Sequence, residues 1–352
     1  RKFFTFVSLF GIAFTLTAIL IVVALIDHHL SPSYPETQLD RILELRRMKM
    51  YGEKSQWWSG PGYKLLDRYT RELPGVERMS IYTRPNEAST FLEGRKHTFQ
   101  VRRADGEYWK ILQFQFLEGT AFTSQDDENA NRVAVITRAA RQRYFGEEKA
   151  LGRSLELEGT QYQVVGVVED VPNYRQIGFS EIWVPLHTTS AVGFFDRLMG
   201  GCAASYLLEE GADQQQVKAA FAERLTRVEF DDPERYQNLD GMPMTVLENS
   251  AASLLSLDPG ETAPRRLIIL VLLAMLGFMG LPAINLVNIN LSRIYERSSE
   301  IGVRKAFGAS GRDLVMQFVV ENVFLSFIGG IIGLAGAYLL LWIATHFPQA
   351  PF

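Results

Sequence analysis

The chain has 352 residues, 47% hydrophobic and 22% charged, with a formal net charge of -4. That length suits more than one domain, and the apolar content excludes a disordered chain. The acidic balance without a basic tract excludes a nucleic-acid binder, and a single cysteine, Cys202, excludes an intramolecular disulfide framework.

Phe3 to Ile26 is an uncharged apolar run of 24 residues, preceded by Arg1 and Lys2 and followed by Asp27. About 20 residues suffice to cross a bilayer as a helix. The run exceeds a signal-peptide core of about 7–15 residues, and no A-x-A-like cleavage site follows. Residues 1–27 therefore read as a retained transmembrane helix, with His28-His29 at its solvated exit.

Residues 28–264 alternate strand and helix signals and are large enough for their own core. Pro35 to Met50 predicts a helix carrying Leu39, Ile42, Leu43 and Leu45. Gly62 to Leu73 predicts a second helix, ended by Pro74-Gly75. Val76–Arg84, Thr98–Arg103 and Asn131–Thr137 read as strands. Leu155–Glu158 and Gln161–Val168 read as a hairpin about a Gly159-Thr160 turn. Asp213–Val228 is the clearest helix, with Asp213 and Gln216 resembling a capping box and Val217, Phe221, Leu225 and Val228 on one face.

No catalytic constellation emerges from this part. The five histidines, His28, His29, His97, His187 and His346, lack metal-ligand spacing apart from the adjacent first pair. No G-x-S-x-G, H-E-x-x-H or phosphate-loop pattern is present, so no metal, catalytic residue or nucleotide site is expected in this chain. Asp126-Asp127-Glu128 and Asp231-Asp232-Pro233-Glu234 lack calcium-loop spacing and read as solvated loops.

The second uncharged block, Leu267–Ser292, follows Pro264-Arg265-Arg266 and contains Pro282, which should kink it. Asn285, Asn288 and Asn290 crowd its far end, as a surfacing helix end or as polar contacts between helices. Residues 293–313 form a short basic loop. Within it Glu300-Ile301-Gly302-Val303-Arg304-Lys305-Ala306-Phe307-Gly308 predicts a short helix. Glu300 in the first turn and Arg304 and Lys305 in the last complement the helix dipole. Gly308 suits a C-terminal cap, and Ser310 with Asp313 a capping box for the next helix. Such a helix between two spans can bear on a cytoplasmic partner and pass its motion to both; a solvated loop with ordinary caps is the plainer alternative.

Residues 314–345 form the third span. Gly329, Gly333 and Ala337 recur at every fourth position, which lets helix backbones approach closely in lipid. Glu321 is the ionisable residue within it, read either as a functional intramembrane acid or as an interfacial group. Basic loop 293–313, with Arg1 and Lys2, orients these ends to the cytoplasm. The large domain, with 29 basic against 36 acidic residues from Asp27 to Arg266, then lies outside.

The run from Asn288 to Gly308, ending E-I-G-V-R-K-A-F-G-A, resembles the FtsX/MacB-type ABC transporter permease family. So do Glu321 with Gly329-Gly330 and Gly333, the L-E-G-T-A-F of residues 117–122, and the R-Y-F-G, A-L-G-R-S and V-V-G-V-V runs within Val133–Val168. The resemblance implies an α-helical membrane protein with a large α+β periplasmic domain in the bacterial inner membrane. That domain would have a porter-like part and a β-rich inserted part near residues 119–190, followed by an FtsX-like region at 265–352. Three helices are expected here, and the family's fourth would lie beyond a fragment. The 300–308 helix would be a coupling helix docking on an ABC ATPase subunit or a fused ATPase domain that binds ATP with magnesium. A second permease chain, identical or paralogous, would complete the unit, with a periplasmic adaptor or outer-membrane channel as further partners. Such complexes turn ATP-driven motion into periplasmic work on a peptide, macrolide or lipoprotein. A membrane-anchored regulator of a cell-wall hydrolase is the alternative within the family.

Overall fold

A computed structural model describes residues 2–92, 94–255, 262–296, 298–307 and 310–346. The chain divides into two compact units, Arg1–His29 with Arg265–Phe352, and Leu30–Pro264. The first unit holds three long helices, Lys2–Leu30, Thr262–Glu296 and Gly311–His346, with the short helix Ser298–Ala306 between the last two. All three are long and apolar enough to cross a membrane. Their outward faces keep large apolar side chains exposed, such as Leu276, Leu281 and Phe327. A surface of that kind is stable in hydrocarbon and not in water. Pro282 lies inside the second helix.

The second unit is built on a ten-stranded mixed sheet. Ile42–Leu45, Cys202–Leu208 and Val76–Thr83 pair antiparallel at one end. A single pairing, Tyr82 with Ala104, joins them to Arg95–Ala104. The sheet continues through Ile182–Pro185, Val133–Thr137, Thr160–Val168 and Phe116–Gly119. A helix, Gln214–Leu225, buries Val217 and Phe221 against the first three strands, with Phe221 edge-on to Tyr206. A second core under the middle strands gathers Tyr108, Trp183 and Phe122, and a third lies around the 154–168 hairpin.

Three local expectations are corrected. Pro35–Met50 is not a helix: after a turn at Leu39–Arg41 it forms strands Ile42–Leu45 and Met48–Tyr51. Every residue of Ile42–Leu45 is buried, so the apolar run reflects a strand covered on both faces, which periodicity does not separate from a helix. The hairpin turns one residue earlier than expected, at Glu158-Gly159, and Thr160 pairs with Leu157. Both turn residues have positive φ, 49° and 78°, as a two-residue hairpin turn of the I′ type requires. Asp213 caps its helix by accepting from Gln215 N–H, without the box to Gln216.

The acidic run at 126–128 is likewise not a solvated loop. It forms the helix Ser124–Glu128, in which Asp126 completes a capping box with Thr123. Asp127 is buried and receives the His187 backbone N–H at 2.8 Å, with His187 Nδ1 at 3.0 Å.

Candidate coupling segment and helix-packing site

Ser298–Ala306 forms a helix with Glu300 in its first turn and Arg304 and Lys305 in its last. None of its residues is buried. The pattern continues one residue further, since Phe307 N–H donates to Val303 O at 3.1 Å. Val303 and Phe307 stand one turn apart and therefore share a face. They are 56% and 89% exposed, an apolar pair presented outward beside two cations. Gly302 is open: a Cβ there meets nothing within 4 Å. Ile301 is half-buried and Ala306 exposed. Arg304 Nη1 donates to Gln317 Oε1 at 3.0 Å, tying this segment to the first turns of the third long helix. Gly308 lies outside the described residues, as does the side chain of Asp313 in the expected capping box.

The small residues of the third long helix face the first. A Cβ on Gly329 would lie 2.7 Å from Ile12 Cγ2, and one on Gly333 would lie 2.9 Å from Ala13 O. Both distances are too short for any side chain, so glycine sets the approach of the two helices. Ala337 is buried on the same stripe. The sequence predicted the stripe but not its partner. Nor did it identify Thr17, whose Oγ1 lies 2.9 Å from Gly333 O and 2.8 Å from Ala13 O. Glu321 is half-buried on the third helix and engages a neighbouring group.

The chain immediately after the first helix is held by a buried pair that sequence reasoning missed. Arg175 donates to Ser31 O at 2.9 Å and to Ser33 Oγ, and its guanidinium lies 3.7 Å from Glu36. Glu36 Oε1 accepts from Ile177 N–H at 2.9 Å and Gly178 N–H at 2.8 Å. The two side chains are 1% and 3% exposed. Burial raises the Glu36 pKa, while the N–H donors and Arg175 hold it down. Nothing in the spacing of positions 36 and 175 could have paired them.

Among the described residues, no group of three or more His, Cys, Asp or Glu side chains converges as metal ligands would. Neither the coupling segment nor the packing stripe presents a nucleophile–base pair.

The chain matches the MacB-like periplasmic core domain family over residues 5–224 and the FtsX-like permease C-terminal family over residues 268–352. It is 29% identical over 280 residues to a pyoverdine export ATP-binding/permease protein, PvdT, of Pseudomonas syringae pv. syringae, covering 77% of this chain and 40% of that one. It is 25% identical over 296 residues to the macrolide export ATP-binding/permease protein MacB of Chromobacterium violaceum, covering 82% and 40%. The chain thus spans about two-fifths of the length of these curated relatives. Among solved structures, the periplasmic region of MacB from Actinobacillus actinomycetemcomitans aligns with 61% of this chain and 94% of its own, at 13% identity and a TM-score of 0.42. With one family matched over more than half of its length and the other over its C-terminal part, the chain belongs to the FtsX/MacB-type ABC transporter permeases.

Proposed function

We infer that this chain is the permease part of an ABC exporter and converts ATP-driven motion in the cytoplasm into movement of a periplasmic domain. The observation that carries the reading is the outward Val303–Phe307 face beside Arg304 and Lys305 on a short helix between two long apolar ones. An exposed apolar pair rimmed by charge suits a protein partner better than water. The partner is an ATPase that binds ATP with magnesium, as a separate subunit or on the same polypeptide. A second permease chain completes the unit in the inner membrane. The 119–190 region acts as the inserted part of the periplasmic domain.

Motion at Ser298–Ala306 passes to the third long helix through Arg304–Gln317. It passes from there to the first helix across Gly329 and Gly333, and on along the chain toward the periplasmic domain. The export role in the names of the pyoverdine and macrolide relatives supports this reading over that of an anchored hydrolase regulator. The test is co-purification with the ATPase together with substrate-dependent ATP hydrolysis. Phe307→Asp should lower both about tenfold or more while the protein still inserts. Wild-type association and hydrolysis in that variant would remove the coupling assignment.

A further inference from the structure

A second, four-stranded sheet in the Leu30–Pro264 unit orders Met199–Gly200, Gln56–Pro61, Met48–Tyr51 and Asn238–Asp240. Side chains alternate along a strand, so Met48 and Met50 enter the core while Lys49 and Tyr51 take the other face. There Lys49 Nζ lies 5.1 Å from the Tyr51 ring centroid and 5.3 Å from that of Trp58. The Arg47 guanidinium lies 5.8 Å from the Trp58 ring. These cations are held by aromatic faces rather than by counter-ions.

Arg84, just after strand Val76–Thr83, reaches the same place and donates from Nη2 to Arg46 O at 2.8 Å. Among the described residues, no carboxylate oxygen lies within 4.0 Å of the charged nitrogens of Arg47, Lys49 or Arg84. The nearby Glu44 carboxylate is already engaged: Tyr82 OH donates to it at 2.7 Å and Arg46 lies 3.6 Å away. Desolvation, then the charges of Arg46 and Arg47, lower the Arg84 pKa. The Glu44 charge opposes them, but with Arg46, Arg47 and Arg84 grouped around it the local balance is positive.

Arg47, Arg84 and Trp58 line an open cleft of about 330 Å³ together with Gly60, Gly200 and Gly201. The glycines keep one wall as bare backbone. A Cβ on Gly60 would come within 2.5 Å of Cys202 O, whereas one on Gly201 meets nothing within 4 Å. The volume falls at the lower end of the range of small-molecule sites.

We propose that this cleft binds a small solute through a carboxylate or phosphate group, with Arg47 and Arg84 as the anion-holding residues. Guanidinium forks match the planar or trigonal oxygens of such groups, and Arg84 is already positioned by its bond to Arg46 O. Trp58 lends an apolar wall to whatever carries the anion. The site stands on side chains of one unit and does not depend on the coupling helix, so its test needs no ATPase.

That test is isothermal titration of the detergent-purified protein with benzoate and phenyl phosphate, with benzyl alcohol as the neutral control. At least one anion should bind saturably and benzyl alcohol should not. Preference between the two anions tells a carboxylate ligand from a phosphate one. The Arg47→Gln/Arg84→Gln double variant should weaken binding about tenfold or more. Gly201→Glu, which adds a carboxylate where there is room for it, should abolish binding at an unchanged Tm. Arg84→Lys, which keeps the charge, should retain most of it. Absence of saturable anion binding, equal binding of benzyl alcohol, or anion binding unchanged in both the double variant and Gly201→Glu would overturn the assignment.

Discussion

Asp105 shows how a single carboxylate can set a pH dependence. It is buried beside strand Val76–Thr83 and accepts from Ser80 Oγ at 2.7 Å, Ile81 N–H at 2.8 Å and Tyr108 N–H at 3.1 Å. Burial raises its pKa to about 6. The Ile81 and Ser80 donors oppose that rise, the Asp127 charge adds to it, and the Arg71 charge opposes it. The folded state therefore holds this proton more tightly than the unfolded chain. The resulting stabilisation is fully present below about pH 4 and is lost as pH rises through about 6, on the order of 3 kcal/mol. Thermal unfolding of wild type and Asp105→Asn at pH 5 and pH 7 checks this: the Tm difference should shift toward wild type at pH 5. A difference independent of pH would mean that Asp105 does not titrate in this range. The Arg175–Glu36 pair has a different logic. Arg175→Met leaves a buried carboxylate without its cation and should cost about 3–5 kcal/mol. Glu36→Gln in the same chain should recover much of that loss, as a double-mutant cycle on unfolding free energies would show.

At the scale of elements, the close approach of the first and third long helices rests on absent side chains. Gly333→Leu must place its Cβ 2.9 Å from Ala13 O, so the helices must part or shift. Overpacking of this kind costs about 1–3 kcal/mol. Thr17→Val removes the hydroxyl shared between Ala13 O and Gly333 O and should cost under about 1 kcal/mol. Disulfide trapping between cysteines placed on the two helices reads the approach directly, and fast trapping in Gly333→Leu would contradict it. This stripe was legible because glycine at every fourth position leaves a visible pattern. The short helix was legible for a similar reason: its charges follow the dipole, with Glu300 early and Arg304 and Lys305 late. The strand at Ile42–Leu45 was not, because burial on both faces erases the period of two. Nor were the acids at 126 and 127, since one caps its own helix and the other meets His187, sixty positions away. The same limit hid Arg84 beside Arg47: proximity produced by folding leaves no mark in spacing.

For the whole molecule, the question is on which side of the membrane each unit lies. Basic residues concentrate near the short helix, and the proposed coupling requires it to face the cytoplasm and the acidic domain to face the periplasm. Labelling with a membrane-impermeant maleimide decides this if the native cysteine stays silent. Cys202 is 1% exposed, and burial pushes its thiol up to about 12, so neither access nor thiolate is available at neutral pH. This chain is therefore an unlabelled background for single introduced cysteines. Val192, 90% exposed in the domain, and Ser299, exposed on the short helix, are suitable positions. In spheroplasts, Val192→Cys should label without lysis, and Ser299→Cys only after the membrane is opened. The reverse pattern would place the domain in the cytoplasm. The Val303–Phe307 face could then no longer meet a cytoplasmic ATPase, and the coupling proposal would fail with the topology.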